Sequence, residues 1–234
     1  MRRRLVAALA AAAAGALAAG EALPTVAAGA DTPGADNALE HYLAGLNSIS
    51  ATFTQTVTNG EGAQVESGSG KLLVLRPGRF RWEYLPAASS GQSGGKAAGD
   101  QGQVLVADGK NLWFYDRELA QVTVKPVETA LSATPIVLLS GSSAELHDSF
   151  EIASAAPRDG LDWVEVRPRA AEADFTLARL GFNGDKLSRM IVSDRLGQTV
   201  QLDFSRSVRN ARVDAASLTF KPPAGVDVIG SPQG

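Results

Sequence analysis

The run Ile49-Ser50-Ala51-Thr52-Phe53-Thr54-Gln55-Thr56-Val57-Thr58 decides the fold. Ile49, Ala51, Phe53, Gln55 and Val57 alternate with Ser50, Thr52, Thr54, Thr56 and Thr58. A period of two puts the first set on one face of an extended strand and the second set on the other. Threonine favours strand backbone while keeping a polar tip in water, so the strand reads as half-buried. Its apolar face needs something to pack against.

Upstream, Leu39, Tyr42, Leu43 and Leu46 recur at helical spacing, and Asp36 or Asn37 is placed to cap. This predicts an amphipathic helix over Ala38 to Leu46 that lays one stripe on a sheet. Downstream, the strand pattern repeats. Gly70 to Leu75 and Arg79 to Leu85 flank the turn chemistry of Arg76-Pro77-Gly78. The second of these carries Phe80, Trp82 and Tyr84 on one face and Arg79, Arg81 and Glu83 on the other. Gln103 to Ala107 and Lys110 to Tyr115 flank Asp108-Gly109, a hairpin signal. Ala120 to Lys125, Phe150 to Ala153, Leu161 to Arg167, Phe175 to Phe182, Leu187 to Ser193, Thr199 to Ser205 and Ser217 to Lys221 continue the series. Thr134 and Pro135 open a short helix through Ile136, Val137, Leu138 and Leu139 that is apolar nearly all round. Glu145 to His147 reads as a polar link. The sum is a mainly β (α+β) chain of about eleven strands and a few short helices, an antiparallel sheet curled into a barrel or half-barrel.

Two segments stand outside this pattern. Residues 1–30 run from Arg2-Arg3-Arg4 through an uncharged stretch to Ala28-Gly29-Ala30, with Ala18-Ala19-Gly20 a second cleavage pattern. That order reads as a secretory signal peptide, the apolar stretch being slightly short for a membrane anchor. Residues 31–234 are then one domain. Residues 86–102 are rich in Gly, Ala, Ser and Gln and lack the large apolar side chains needed to pack, so they read as a flexible insert.

Composition narrows the chemistry. The chain has 234 residues, no cysteine, and a formal net charge of −3, which speaks against general nucleic-acid binding. His41 and His147 are the two histidines. No G-x-S-x-G elbow, zinc-ligand spacing or phosphate loop occurs, so neither an enzyme, a metal site nor a cofactor is expected. What remains is apolar surplus. Phe80, Trp82 and Tyr84, with Leu112 to Tyr115 on a nearby strand, fill an ordinary barrel core or line a ligand cavity. Composition alone favours the ordinary core.

A family resemblance shifts that balance. Arg76-Pro77-Gly78-Arg79-Phe80-Arg81-Trp82 resembles the R-P-x-x-F-x-W segment of the periplasmic outer-membrane lipoprotein carriers, the LolA family. Val106 to Asp116 is similar to that family's D-G-x-x-L-W hairpin, and Leu119-Ala120-Gln121-Val122 to the strand that follows it. Phe53-Thr54-Gln55, Thr134-Pro135 and Phe220 to Val228 resemble its first strand, lid helix and C-terminal end. The insert at 86–102 is longer than the family's usual link, and some members carry a longer C-terminal extension.

The resemblance implies an unclosed antiparallel β-barrel with a lid of short helices and an apolar interior for acyl chains. It implies a monomeric periplasmic carrier that takes lipoproteins from an inner-membrane ABC-type release complex and delivers them to an outer-membrane acceptor lipoprotein. Arg76 is expected to tie barrel to lid by hydrogen bonds, and Phe80 to affect hand-over. With them, Phe53, Trp82 and Trp113, and the lid residues Pro135, Ile136, Leu138 and Leu139, are the expected lipid-contacting set. A lipid- or lipoprotein-binding sensor or assembly module of the envelope with the same half-barrel is the alternative reading.

Overall fold

The computed structural model describes residues 37–87, 101–127, 135–171 and 173–234. The expected signal peptide, the Asp36 cap, most of the insert and Thr134 lie outside the described residues. Chain order is α1 (Ala38–Leu43), β1 (Ser48–Thr58), β2 (Gln64–Leu75), β3 (Arg79–Pro86), β4 (Gln103–Ala107), β5 (Asn111–Asp116) and β6 (Gln121–Pro126). There follow α2 (Val137–Ser140), α3 (Ser143–Ser149), β7 (Phe150–Arg158), β8 (Leu161–Pro168), β9 (Leu177–Asn183), β10 (Lys186–Ser193), β11 (Thr199–Arg209) and β12 (Asp227–Ile229).

The strands form one 12-stranded sheet in the order β12-β6-β5-β4-β3-β2-β1-β11-β10-β9-β8-β7. From β6 through β1 to β7 the neighbours in this order pair antiparallel, and β1 joins the two halves by pairing with β2 on one side and β11 on the other. Only β12 runs parallel, beside β6. β7 and β12 are the sheet's two ends and do not pair with each other, so the barrel is unclosed, as expected.

Register shows why the alternation in β1 mattered. Partners across a ladder share a face. One row runs Ala51, Leu72, Trp82, Leu105, Phe114 across five strands, and the next runs Ile49, Val74, Phe80, Ala107, Leu112. On the other side of β1 a row runs Gln55, Leu202, Met190, Leu180, Val164. Apart from Gln55, these rows belong to one apolar cluster that also contains Leu39, Tyr42, Leu43 and Leu46 and the lid residues. The concave face is therefore the core, and the helices roof it.

Four expectations are corrected. The first helix stops at Leu43, because Ala44 turns extended and Gly45 takes φ +65°, although Leu46 still reaches the core. β2 begins at Gln64, well before Gly70, because the long β1 beside it supplies partners for the added residues, all but Val65 at a register shift. Glu145 to His147 is not a link but part of α3, which Ser142 and Glu145 open with a reciprocal capping box. Ser217 to Lys221 is not a strand. Asp214 caps a 3-10 turn over Ala215–Leu218, Leu218 is buried, and Phe220 packs against Trp113 and Tyr115.

Candidate functional site

The concave face under the helices is built from aromatic side chains that the glycines of β2 make room for. Phe53 and Trp82 lie 4.1 Å apart between ring centroids, and Phe80 is fully buried beside them. Gly70 is opposite Phe53 on one strand and Tyr84 on the other. A Cβ at Gly70 would collide with the Phe53 ring and the Glu83 carbonyl oxygen, and one at Gly68 with Tyr84 and the Leu85 carbonyl oxygen. Gly68 and Gly70 are thus the gaps into which two rings fold. Tyr84 donates to Glu66 at 2.6 Å, and burial, with that hydrogen bond and charge, pushes its pKa well up, so it stays a neutral donor.

The roof is α2 with its leading turn. Ile136, Val137, Leu138 and Leu139 are all buried in the same cluster as Phe53, Phe80 and Trp82, and Pro135 is buried with them. The structure brings these expected residues together. A helix of four residues has few hydrogen bonds of its own, so its position depends on what holds its ends.

Arg76 holds one end. It lies in the β2–β3 turn, where its Nε and Nη2 donate to the Gly141 carbonyl at 3.1 and 2.6 Å. Its Nη1 donates to the carbonyls of Leu43 and Leu46 at 3.1 and 3.3 Å. The last carbonyls of a helix have no partner within it, and a guanidinium fork is well shaped to satisfy several at once. Arg76 therefore sits where the ends of α1 and α2 converge and joins both to the sheet. Burial lowers its pKa, the Glu145 charge opposes that, and an arginine remains a cation in any case. Two residues on, the Gly78 N–H donates to the Ser140 carbonyl at 2.9 Å.

The far side of α1 is held separately. Arg209 of β11 donates to the carbonyls of Tyr42 and Ala44 at 2.8 and 3.0 Å and lies over the Tyr42 ring. Asn210 accepts from the Asn47 N–H at 2.7 Å and donates to the Gly45 carbonyl. Both histidines are paired with carboxylates: His41 with Asp185 at 3.8 Å, and His147 of α3 with Glu40 of α1 at 2.7 Å. Arg209, Asn210, Glu40 and the two glycines carry no sequence signal, because their roles depend on contacts between segments far apart in the chain. The Ser142 to Glu145 capping box was the one legible sign of α3.

Trp113 does not join the site. Its register partners are Val106 and Val124, in the row that includes Arg81, on the convex face. There it packs with Val104, Val122 and Val124 beneath Phe220 and Val226 of the C-terminal segment, and its indole N–H donates to Asp108 at 2.7 Å. The expectation placed Trp113 in the lipid-contacting set, whereas the pleat sends Leu112 and Phe114 inward and Trp113 and Tyr115 outward.

Fold and site together define a class: half-barrel proteins whose concave apolar face is roofed by short helices pinned at their ends. Comparison with known proteins narrows this. The family model described as outer membrane lipoprotein carrier protein LolA matches residues 44–93 and 95–221. The chain belongs to this family. It is 36% identical to the outer-membrane lipoprotein carrier protein of Dechloromonas aromatica, over 84% of this chain and 88% of that one. It is 38% identical to the protein of that name from Methylibium petroleiphilum, over 87% and 93%. For the one from Chromobacterium violaceum the identity is 37%, over 87% and 93%.

Proposed function

We propose that this protein shelters the acyl chains of lipoproteins on its concave face while carrying them across the periplasm to the outer membrane. The observation that carries the reading is the buried roof of α2, apolar on its inner side and joined to the sheet through Arg76. An acyl chain displaced into water loses about 0.8 kcal/mol per methylene. Ile136, Val137, Leu138 and Leu139 cover the ground such a chain needs. Cargo entry exchanges one apolar contact set for another, so the net free energy is far smaller than the gross burial. Loading and unloading then need no nucleotide hydrolysis by the carrier.

The hydrogen bonds apportion the motion. α1 stays with the sheet, held by Arg209 and Asn210. α2 and α3 move, which breaks the Arg76–Gly141, Gly78–Ser140 and His147–Glu40 contacts. Closure in the empty carrier keeps aromatic surface out of water, and the bonds to Gly141 return when cargo leaves. Arg76 thereby favours release, and Phe80 and Trp82 form the surface that acyl chains touch. The cargo comes from an inner-membrane ABC-type release complex and passes to an outer-membrane acceptor lipoprotein. The protein acts by binding rather than by catalysis.

The test is release of an acylated lipoprotein from inner-membrane vesicles carrying the release complex. A soluble stoichiometric complex with this protein is expected. Cargo that stays in the vesicle pellet at every concentration of the protein refutes the reading.

A further inference from the structure

The convex face carries a cavity of about 540 Å³ between β1–β3 and the 3-10 turn at Ala215–Leu218. Small-ligand sites span roughly 300–1,000 Å³, so its size suits a small molecule. Register separates it from the acyl site: Leu73 and Arg81 pair across the sheet on the face opposite Leu72 and Trp82. Leu73 and Ala216 give it an apolar side, and Lys71, Arg81, Glu83 and Arg206 give it charge.

The charge is unbalanced. Arg81 is neutralised by Glu83, with Nε 2.7 Å from the carboxylate. Among the described residues neither Lys71 nor Arg206 has an ion-pair partner. Two unpaired cations thus face one cavity in a chain whose formal net charge is −3. Arg206 reaches it through an unusual backbone. The β1–β11 register shifts between Ser50 and Thr52, and Arg206, inside that bulge, has φ +49°. Bulges re-aim side chains, and a left-handed non-glycine residue is strained.

We propose that this cavity binds a phosphate group, free or borne by a glycerol phosphate head group. Two positive charges match a phosphate monoester dianion and also attract the single charge of a phosphodiester, and a guanidinium suits the tetrahedral oxygens of either. Leu73 and Ala216 receive the carbon body.

The test is an amide NMR titration of the whole protein with sn-glycerol 3-phosphate, inorganic phosphate and dihexanoyl phosphatidylglycerol, with chloride at matched ionic strength. Saturable shifts at Lys71, Arg206 and Ala216 are expected with phosphate and not with chloride. Tighter binding of the glycerol-bearing probes assigns a head group, and equal binding assigns the free ion; both support the site. Lys71→Gln and Arg206→Gly should each weaken binding by about tenfold, the loss expected for one charge-assisted hydrogen bond. Arg206→Gly relieves the strained backbone, so its thermal midpoint should not fall, and Arg206→Lys should recover part of the affinity. Absent shifts, the same shifts with chloride, or shifts unchanged in both variants overturn the proposal. Lipoprotein release does not depend on the outcome, so the two failures are distinguishable.

Discussion

Replacing Arg76 with leucine should loosen the roof without unfolding the sheet. The variant loses both donations to Gly141 and the donations to Leu43 and Leu46. α1 keeps Arg209 and Asn210, whereas among the described residues the end of α2 keeps the Gly78–Ser140 bond. The two bonds to Gly141 converge on one carbonyl and count as one charge-assisted bond, worth about 2 kcal/mol. That predicts an open population about 30-fold larger. Hydrogen exchange reads this directly, because local opening governs exchange in α2 and global unfolding governs it in the sheet core. The Ser140 and Gly141 amides, which donate to Ile136 and Val137, should exchange about 30-fold faster, while β1 and β11 amides change only by any loss of global stability. In the carrier, cargo should still be accepted, but delivery should stall because closure no longer competes for the site. Unchanged α2 exchange relative to the sheet refutes the assignment of Arg76 as the tie.

Gly70→Ala should destabilise the fold or displace the Phe53 ring, because its Cβ meets that ring and the Glu83 carbonyl. Urea unfolding should show a loss of about 1–3 kcal/mol, and a loss near zero contradicts the packing argument. Asp108→Ala leaves the Trp113 indole N–H and the Lys110 and Asn111 amides of the hairpin turn without their acceptor, at a similar cost, checked by the same unfolding curve. Glu165 gives a pH prediction. Burial raises its pKa, but hydrogen bonds and charge from Arg179 and Arg167 outweigh this and hold it below the ordinary value. Its contribution is therefore present above the ordinary glutamate range and lost as pH falls through the lower folded value. Because both arginines are partly exposed, the contribution is about 1 kcal/mol. Stability should fall less steeply on acidification in Glu165→Gln than in the parent, and parallel curves count against the pairing.

The sheet was legible because alternation survives in strands such as β1 and β3. Ile49 to Thr58 needed no tertiary information to be placed, and the Asp108-Gly109 turn lies between two strands as its chemistry demands. The site was legible where a family motif covered it, at Arg76, Phe80 and Trp82, and where apolar residues ran together, at Ile136 to Leu139. Trp113 was misplaced because four successive large side chains hide the pleat; only the register with Val106 and Val124 shows which way each points. The C-terminal segment resisted for another reason. Ser217 to Lys221 has strand composition, but Asp214 offers the backbone a cap and Trp113 offers Phe220 a partner. Arg209 and Asn210 lie more than one hundred and sixty positions from the residues at the end of α1 and just after it that they hold, beyond any local pattern.

The central claim is that acyl chains occupy the concave face, and the three tryptophans can test it. Trp82 lies in that cluster, Trp113 lies under the C-terminal segment, and Trp163 lies outside the concave cluster with Arg158 over its ring. Single-tryptophan proteins made with phenylalanine at the other two positions should be loaded with a lipopeptide brominated along its acyl chains. Strong quenching of Trp82 with little effect on Trp113 and Trp163 is the expected result. Quenching confined to Trp113 or Trp163, or an unquenched Trp82 in a loaded complex, contradicts the account.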